Sequence, residues 1–218
     1  MSGFYSEDHR SLQDRFDSRA LADTLAAVTV QPHLDEDAIA FIGSRSFFFL
    51  STVDAQGHPT VSHKGGAPGF VRVLDPTTLA FPSYDGNGMF LSMGNIAGDG
   101  RIGLLFMDFE TPHRVRVQAN ATVSAEDPLM AEYPGADLVV RATVVDSFIN
   151  CPRYITPRGS DEPSVNVPDE RGDAPLADWQ RLDLLQDVLP ERHQGRAVAE
   201  GGTLDLDEYA ERVRRDDD

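Results

Sequence analysis

One stretch of strict alternation limits the folds open to this chain more than any other feature. Between Arg114 and Val123, every second residue is apolar and the residues between them are polar. The apolar set is Val115, Val117, Ala119, Ala121 and Val123. A period of two puts these side chains on one face of a β-strand. The pattern therefore predicts a half-buried strand with Arg114 and Arg116 together on its polar face.

Further strand-like runs surround this one, and turn residues separate them. They are Phe47 to Leu50, Thr60 to Lys64, Phe70 to Leu74, Leu79 to Phe81, Ile102 to Phe109 and Leu138 to Phe148. The run from Phe47 to Leu50 is continuously apolar, which is typical of a strand buried on both faces. The turn cluster from Asp54 to Pro59 predicts a hairpin. Six or seven strands with hairpin connections favour an antiparallel barrel over a parallel, doubly wound sheet.

Helical patterns flank the strands. Leu34 to Asp37 supplies a cap and an acidic first turn for a helix that carries Ile39 and Ile42, and a short helix is predicted over Met89 to Ile96. Beyond Pro157 the chain is polar and rich in proline, with helical patterns near Leu176 to Leu189 and Leu204 to Val213. We expect three segments: helical residues 1–34, a barrel domain over 35–156, and an extended or helical tail over 157–218.

The charge balance excludes several classes of partner. The chain has 36 acidic and 19 basic residues and a formal net charge of −17. Nucleic acid is not expected, because binding a phosphate backbone needs a basic face. No run approaches the roughly 20 apolar residues of a membrane helix, and residues 1–10 do not resemble a secretion signal. With Cys151 as its single cysteine, we expect a cytoplasmic protein.

Common catalytic motifs do not occur in the sequence. The six histidines form no pattern typical of zinc ligands, and Gly-x-Ser-x-Gly, Gly-x-Gly-x-x-Gly and Walker-type loops are missing. We therefore predict no metal site and assign no catalytic residue.

Groups that suit a phosphate are nevertheless scattered along the strands. Lys64 is the only lysine of the chain and stands between Ser62 and two glycines, whereas Arg72 lies in an apolar run. Gly86, Asn87 and Gly88 lead into the short helix, whose free N–H groups suit an anion. Each group alone has an ordinary explanation as a solvated charge or a turn residue. Together they favour a dianionic ligand, because an acidic chain needs several local cations to hold one.

The order of these blocks resembles the pyridoxamine 5'-phosphate oxidase-like family, and in particular its FMN-binding split-barrel flavoproteins. The resemblance covers about residues 35–155. It rests on Phe47 to Asp54, Gly57-His58-Pro59, Ser62 to Gly66, Leu79 to Pro82, Asn87-Gly88-Met89, Asn95-Ile96, Arg101 to Phe106 and Arg114 to Val117.

This resemblance implies a mainly β (α+β) fold, a six-stranded antiparallel split β-barrel with flanking helices. It also implies a homodimer that binds FMN at its interface. Carried over by position, Arg72 grips the FMN phosphate, Pro82 and Ser83 run along the isoalloxazine, and Arg114 reaches the flavin. The implied cofactor-binding residues are Ser62, His63, Lys64, Arg72, Pro82, Ser83, Asn87, Gly88, Met89, Arg114 and Arg116.

Two departures narrow the expected function. Gly88 and Met89 stand where the family often has an Arg-Lys pair, and the chain ends in Asp216, Asp217 and Asp218 instead of a basic segment that closes over a substrate phosphate. Oxidation of vitamin B6 is therefore not expected. The sequence favours an FMN-dependent oxidoreductase that acts on another small molecule. The alternatives are a non-catalytic flavin- or haem-binding stress or storage module, or an enzyme that uses a deazaflavin.

Overall fold

The computed structural model describes residues 4–84, 86–157, 164, 166–171 and 173–214. The chain divides into two compact units. The barrel unit contains residues 31–108 and 114–150, and the terminal unit contains residues 1–30, 109–113 and 151–218.

Seven strands form the sheet of the barrel unit. They are β1 (Phe47–Val53), β2 (Pro59–Gly65), β3 (Arg72–Asp75), β4 (Thr78–Tyr84), β5 (Arg101–Asp108), β6 (His113–Ser124) and β7 (Ala136–Ile149). Their order across the sheet is β2-β1-β5-β6-β7-β4-β3. The pairs β1–β2, β1–β5, β3–β4, β4–β7 and β6–β7 are antiparallel. The family resemblance implied six strands. The observed sheet has seven, because it includes the short strand β3.

The sheet curls around an aromatic core. Phe48 on β1 and Phe81 on β4 are separated in the sheet by three strands, yet their ring centroids lie 5.0 Å apart, edge to face. The ring of Phe106 on β5 lies 5.1 Å from that of Phe48, and all three side chains are fully buried. A flat sheet cannot bring β1 and β4 into contact, because each strand adds roughly 4.8 Å of width. The sheet is thus an open barrel whose end strands, β2 and β3, are not neighbours.

The curl corrects one expectation about β1. The run from Phe47 to Leu50 was expected to be buried on both faces, but only Phe48 and Leu50 point into the core. Phe47 and Phe49 are half-buried on the outer face, where their rings lie 5.4 and 6.1 Å from that of His63. At β1 only the inner face of the curled sheet packs on the core, so the residues of the run alternate between buried and half-buried.

Six α-helices occur among the described residues. They are α1 (Glu7–Arg15), α2 (Arg19–Thr29), α3 (Glu36–Ser44), α4 (Leu91–Gly98), α5 (Arg196–Ala199) and α6 (Leu206–Arg214). Asp35 caps α3 as predicted, since its Oδ1 accepts a hydrogen bond from the Ala38 N–H at 2.7 Å. Helix α4 begins two residues later than predicted, because Gly88 (φ +73°) and Phe90 (φ +48°) are left-handed.

A second apolar cluster holds the terminal unit together. Leu21 of α2 packs with Leu182, Leu185 and Leu189. The helix predicted over Leu176 to Leu189 is wrong: short 3₁₀ turns cover Asp178–Arg181 and Asp183–Val188. The Leu204 N–H donates to the Arg181 carbonyl and the Asp183 N–H donates to the Leu204 carbonyl, both at 2.9 Å. This bridge holds Leu182 extended and interrupts the helix. Within the described ranges, the helices are too short or too polar to cross a membrane.

We predict that Phe48→Ala lowers the free energy of unfolding by about 3–5 kcal/mol, because it opens a cavity among three aromatic rings. Denaturant unfolding followed by circular dichroism measures the change. The control is Phe16→Ala at a side chain that is 52% exposed, where we expect a change within about 0.5 kcal/mol. Similar losses in both variants would contradict an aromatic core centred on Phe48.

Candidate functional site

The inner face of the edge strand β2 carries a row of polar side chains. Thr60, Ser62 and Lys64 alternate along β2, and the last two lie opposite Leu50 and Phe48 on β1. Directly paired residues point to the same face of a sheet. Because Leu50 and Phe48 are fully buried, Ser62 and Lys64 also face the inside of the curled sheet, at its open edge.

Helix α4 covers this polar row. Its buried Met93 and Ile96 belong to the core cluster and attach the helix to the sheet. The Ser62 hydroxyl lies 3.0 Å from the Ser92 hydroxyl in the first turn of α4. The Asn95 side-chain amide donates to Thr52 Oγ1 at 3.0 Å, and Thr52 Oγ1 lies 2.8 Å from Thr60 Oγ1. Hydroxyl and amide contacts thus hold the start of α4 against Ser62, the inward-facing neighbour of Lys64 on β2.

The segment before α4 leaves the N-terminus of the helix open. Asn87 Oδ1 accepts a hydrogen bond from the Met89 N–H at 3.1 Å, and Gly88 takes a left-handed conformation that suits glycine. Phe90, at the N-cap, has no side-chain acceptor for the first N–H groups of the helix. A helix start without a capping side chain is a favourable place for an anion.

Lys64 supplies a positive charge on the same edge. Its side chain is half-buried, and burial lowers the pKa of its ammonium group from the ordinary value of 10.5. In the part of the chain that the structure describes, no carboxylate forms an ion pair with it. A half-buried cation without a counter-charge, on the same edge as an open helix N-terminus and two serine hydroxyls, is suited to hold a phosphate.

Arg72 lies on the other face of the sheet. It pairs with Ala80 of β4, whose side chain packs with Tyr133 and Val139 outside the aromatic core. Its guanidinium forms an ion pair with Glu132. Burial raises the pKa of the nearby Tyr133 hydroxyl to about 12. Pro82, two residues after Ala80 on β4, shares this outer face, so the structure separates Arg72 and Pro82 from Lys64 within one chain.

The arginines of β6 form a third group. Val115 and Val117 point into the core, so Arg114 and Arg116 lie on the outer face as the alternation predicted. Arg116 pairs with Phe148 of β7, and its guanidinium lies 6.0 Å from the centre of that ring. Arg72 pairs with Ala80, which lies opposite Arg141 of β7. Arg141 is seven residues from Phe148 along β7, a distance of about 23 Å. Arg72 and Arg116 of one chain therefore cannot hold the same phosphate.

The remaining predicted residues divide between the two faces. His63 stacks on Phe47 on the outer face, whereas Ser83 is buried opposite Leu138, which packs on the core. Asn87, Gly88 and Met89 are exposed before α4.

Sequence reasoning missed Ser92 and Asn95 as part of this site. Their spacing of three residues on a helix, with Ser62 and Thr60 alternating on a strand, is the signal that pairs them.

Two clefts occur elsewhere, in the terminal unit. One is lined by residues of α1 and α2, and the other by Asp173, Ala174, Pro175, Arg196 and Glu200. Neither contains a predicted flavin ligand. Among the described residues, no three histidine, cysteine, aspartate or glutamate side chains come together to hold a metal ion.

An open antiparallel sheet curled over one core, with a helix across its open edge, defines a split barrel. A family model described as pyridoxamine 5'-phosphate oxidase matches residues 34–149, which are 116 of the 218 residues. The chain belongs to the pyridoxamine 5'-phosphate oxidase-like family, and the resemblance seen in the sequence is confirmed.

Several solved structures are similar to this chain. A candidate pyridoxamine 5'-phosphate oxidase from Lactobacillus delbrueckii is 28% identical, with a TM-score of 0.44 over 54% of this chain and 95% of its own. HupZ from Group A Streptococcus is 20% identical, with a TM-score of 0.44 over 53% and 93%. HutZ, the haem storage protein from Vibrio cholerae, is 19% identical, with a TM-score of 0.38 over 53% and 94%. No curated protein gives a match.

We predict that Lys64→Met stabilises the ligand-free protein at pH 7 by less than about 1 kcal/mol, because it removes a half-desolvated charge. The lowered pKa means that the unfolded chain binds more protons than the folded chain as the pH nears 10.5. The stability of the wild type should rise relative to that of Lys64→Met over this range. Urea unfolding of both proteins between pH 7 and pH 10.5 measures the difference. A wild type that is more stable at pH 7 would show that Lys64 has a partner.

Proposed function

We propose that this protein is an FMN-binding flavoprotein and an oxidoreductase that acts on a small molecule other than pyridoxamine phosphate. Membership of the pyridoxamine 5'-phosphate oxidase-like family supports a flavin as the ligand. The observation that carries the proposal is the half-buried Lys64 on the sheet edge that the open N-terminus of α4 covers.

The Lys64 edge matches the phosphate end of FMN. A phosphate dianion accepts hydrogen bonds only, and this edge offers donors: the Lys64 ammonium, the Ser62 and Ser92 hydroxyls, and the first N–H groups of α4. Asn87 and Gly88 hold the chain in the turn that leaves these N–H groups uncovered. A bound phosphate would also offset the cost of burying Lys64.

A homodimer accounts for the remaining predicted residues. In one chain, Arg72, Pro82 and Arg116 lie on the outer face, away from Lys64. If the outer face of a second copy packs against the Lys64 edge, either its Arg72 or its Arg116 completes the phosphate site. Extra cations matter in a chain of net charge −17, because the overall field repels a dianion. We therefore propose two FMN sites per dimer, each made from both copies.

When bound, FMN supplies the redox chemistry by accepting and passing on two electrons. The protein would bind its phosphate through Lys64 and the start of α4 and orient the ring along β4 of the second copy. The exposed apolar Met89 and Phe90 would exclude water. We assign no proton donor or acceptor for the substrate.

We predict that Lys64→Gln weakens FMN binding about tenfold or more, or about 1.4 kcal/mol, because it removes a charge-assisted hydrogen bond. Flavin fluorescence during titration of the flavin-free protein measures the dissociation constant. Arg19→Gln, at an exposed arginine paired with Asp14 in the terminal unit, is the matched control and should not change it. Unchanged affinity in Lys64→Gln would show that the FMN phosphate does not bind at this edge.

Arg72→Gln tests the shared site. If Arg72 of a second copy holds the phosphate, we expect a loss of about 1.5–3 kcal/mol. Size-exclusion chromatography with light scattering should then show a dimer. A monomer that binds FMN with unchanged affinity in Arg72→Gln would contradict the shared site. The phosphate would then be held by the Lys64 edge of a single chain.

The absorption spectrum of the purified protein distinguishes an oxidoreductase from a binding or storage module. A yellow protein that bleaches with a reduced nicotinamide cofactor and recovers in air supports an oxidoreductase. A flavin spectrum that no donor changes favours a binding or storage module. A haem spectrum without flavin would contradict the proposal.

A further inference from the structure

A group of side chains with unused hydrogen-bond donors lies in the described part of the terminal unit. We call Arg153, Trp179 and His193 the donor cluster. None of them belongs to the proposed flavin site, and the inference drawn from them does not depend on it.

Arg153 is the centre of this cluster. Its guanidinium lies 5.7 Å from the centre of the Trp179 ring and 5.5 Å from that of Tyr154. One of its amino groups donates to Gln180 Oε1 at 3.0 Å. Across the described ranges, Arg153 has no carboxylate partner. Its remaining N–H groups are therefore available to a ligand, since a guanidinium carries five.

Trp179 and His193 each bury an N–H group. Trp179 Nε1 and His193 Nδ1 are both inaccessible to solvent, and neither has a hydrogen-bond partner among the residues described. Arg192 Nε lies 3.2 Å from His193 Nε2 and can only donate to it. The proton of a neutral His193 is thus on Nδ1, so this atom is a donor, as the indole N–H is. Buried donors without an acceptor are rare in folded proteins.

The electrostatic surroundings are positive. Burial lowers the pKa of His193, and the charges of Arg192, Arg196 and Arg153 lower it further, whereas Glu200 raises it. Arg153 therefore packs on the Trp179 ring and also lowers the pKa of His193. Glu200 accepts hydrogen bonds from Arg196 at 2.7 and 3.0 Å, which leaves Arg153 and Arg192 without a carboxylate in this group. A local excess of positive charge stands out in a chain of net charge −17.

We propose that the donor cluster binds a small oxyanion, the carboxylate or phosphate group of a small molecule. Such a group is an acceptor only, and it would receive hydrogen bonds from the Arg153 guanidinium, the Trp179 indole and the neutral His193 imidazole. Arg196, whose charge acts on His193, also lines a cleft with Asp173, Pro175 and Glu200 in the same unit.

Trp179 is the only tryptophan of the chain, so its indole N–H gives a single, unambiguous signal in a ¹H–¹⁵N NMR spectrum. We would titrate the full chain at pH 7.5 with inorganic phosphate, with acetate, and with sodium chloride at the same ionic strength. The expected result is a saturable shift of the indole signal with phosphate or acetate and none with chloride. The more effective of the two identifies the preferred oxyanion.

Arg153→Gln should raise the apparent dissociation constant about tenfold or more, as expected for a lost charge-assisted hydrogen bond. Arg19→Gln is again the control and should leave it unchanged. If Arg153→Gln does not fold, Arg153→Lys keeps the charge but loses the guanidinium geometry, and it should also weaken binding.

An indole signal that does not move, moves equally in chloride, or moves equally in the folded Arg153 variant would overturn the proposal. Lys64→Gln distinguishes this site from the flavin site, because it should lose FMN affinity and keep the phosphate-dependent shift. Loss of the shift in Lys64→Gln would overturn a separate oxyanion site.

Discussion

The contact between Phe48 and Phe81 is the interaction on which the barrel unit depends. It joins strands that three others separate in the sheet, and so it curls the sheet around a buried core. Once the sheet curls, β2 becomes an open edge whose inner face meets α4. The hydroxyl contact between Ser62 and Ser92 and the half-burial of Lys64 both follow from that geometry.

Charge explains why so few groups can hold an anion in this protein. Most arginines in the described ranges already face a carboxylate, as Arg72 faces Glu132 and Arg141 faces Asp127. Lys64 and Arg153 differ, because neither has a carboxylate partner among the described residues. Lys64 is half-buried, and Arg153 is stacked on aromatic rings. A cation kept in such a place costs stability, and binding an anion offsets that cost. The two proposed sites share this physical basis but belong to different units.

Local patterns predicted much of the barrel. The alternation along β6, the turn after β1 and the Asp35 cap of α3 all depend on neighbours within a few residues, and the structure confirms them. The helix expected over Leu176 to Leu189 failed because a bridge to Leu204 interrupts it. Phe47 and Phe49 were misjudged because the number of faces a strand buries depends on the layers packed on the sheet.

The amino-acid sequence by itself determined the family, the antiparallel strands and the side of its own strand on which each residue lies, because period and turn chemistry are local. Only the tertiary structure decided which polar groups meet. It put Ser62, two residues before Lys64 on the same face of β2, against Ser92, and it placed Arg72 on the opposite face with Glu132. The reason is that spacing along a strand sets a side chain's face, whereas register, curl and helix packing set its neighbours.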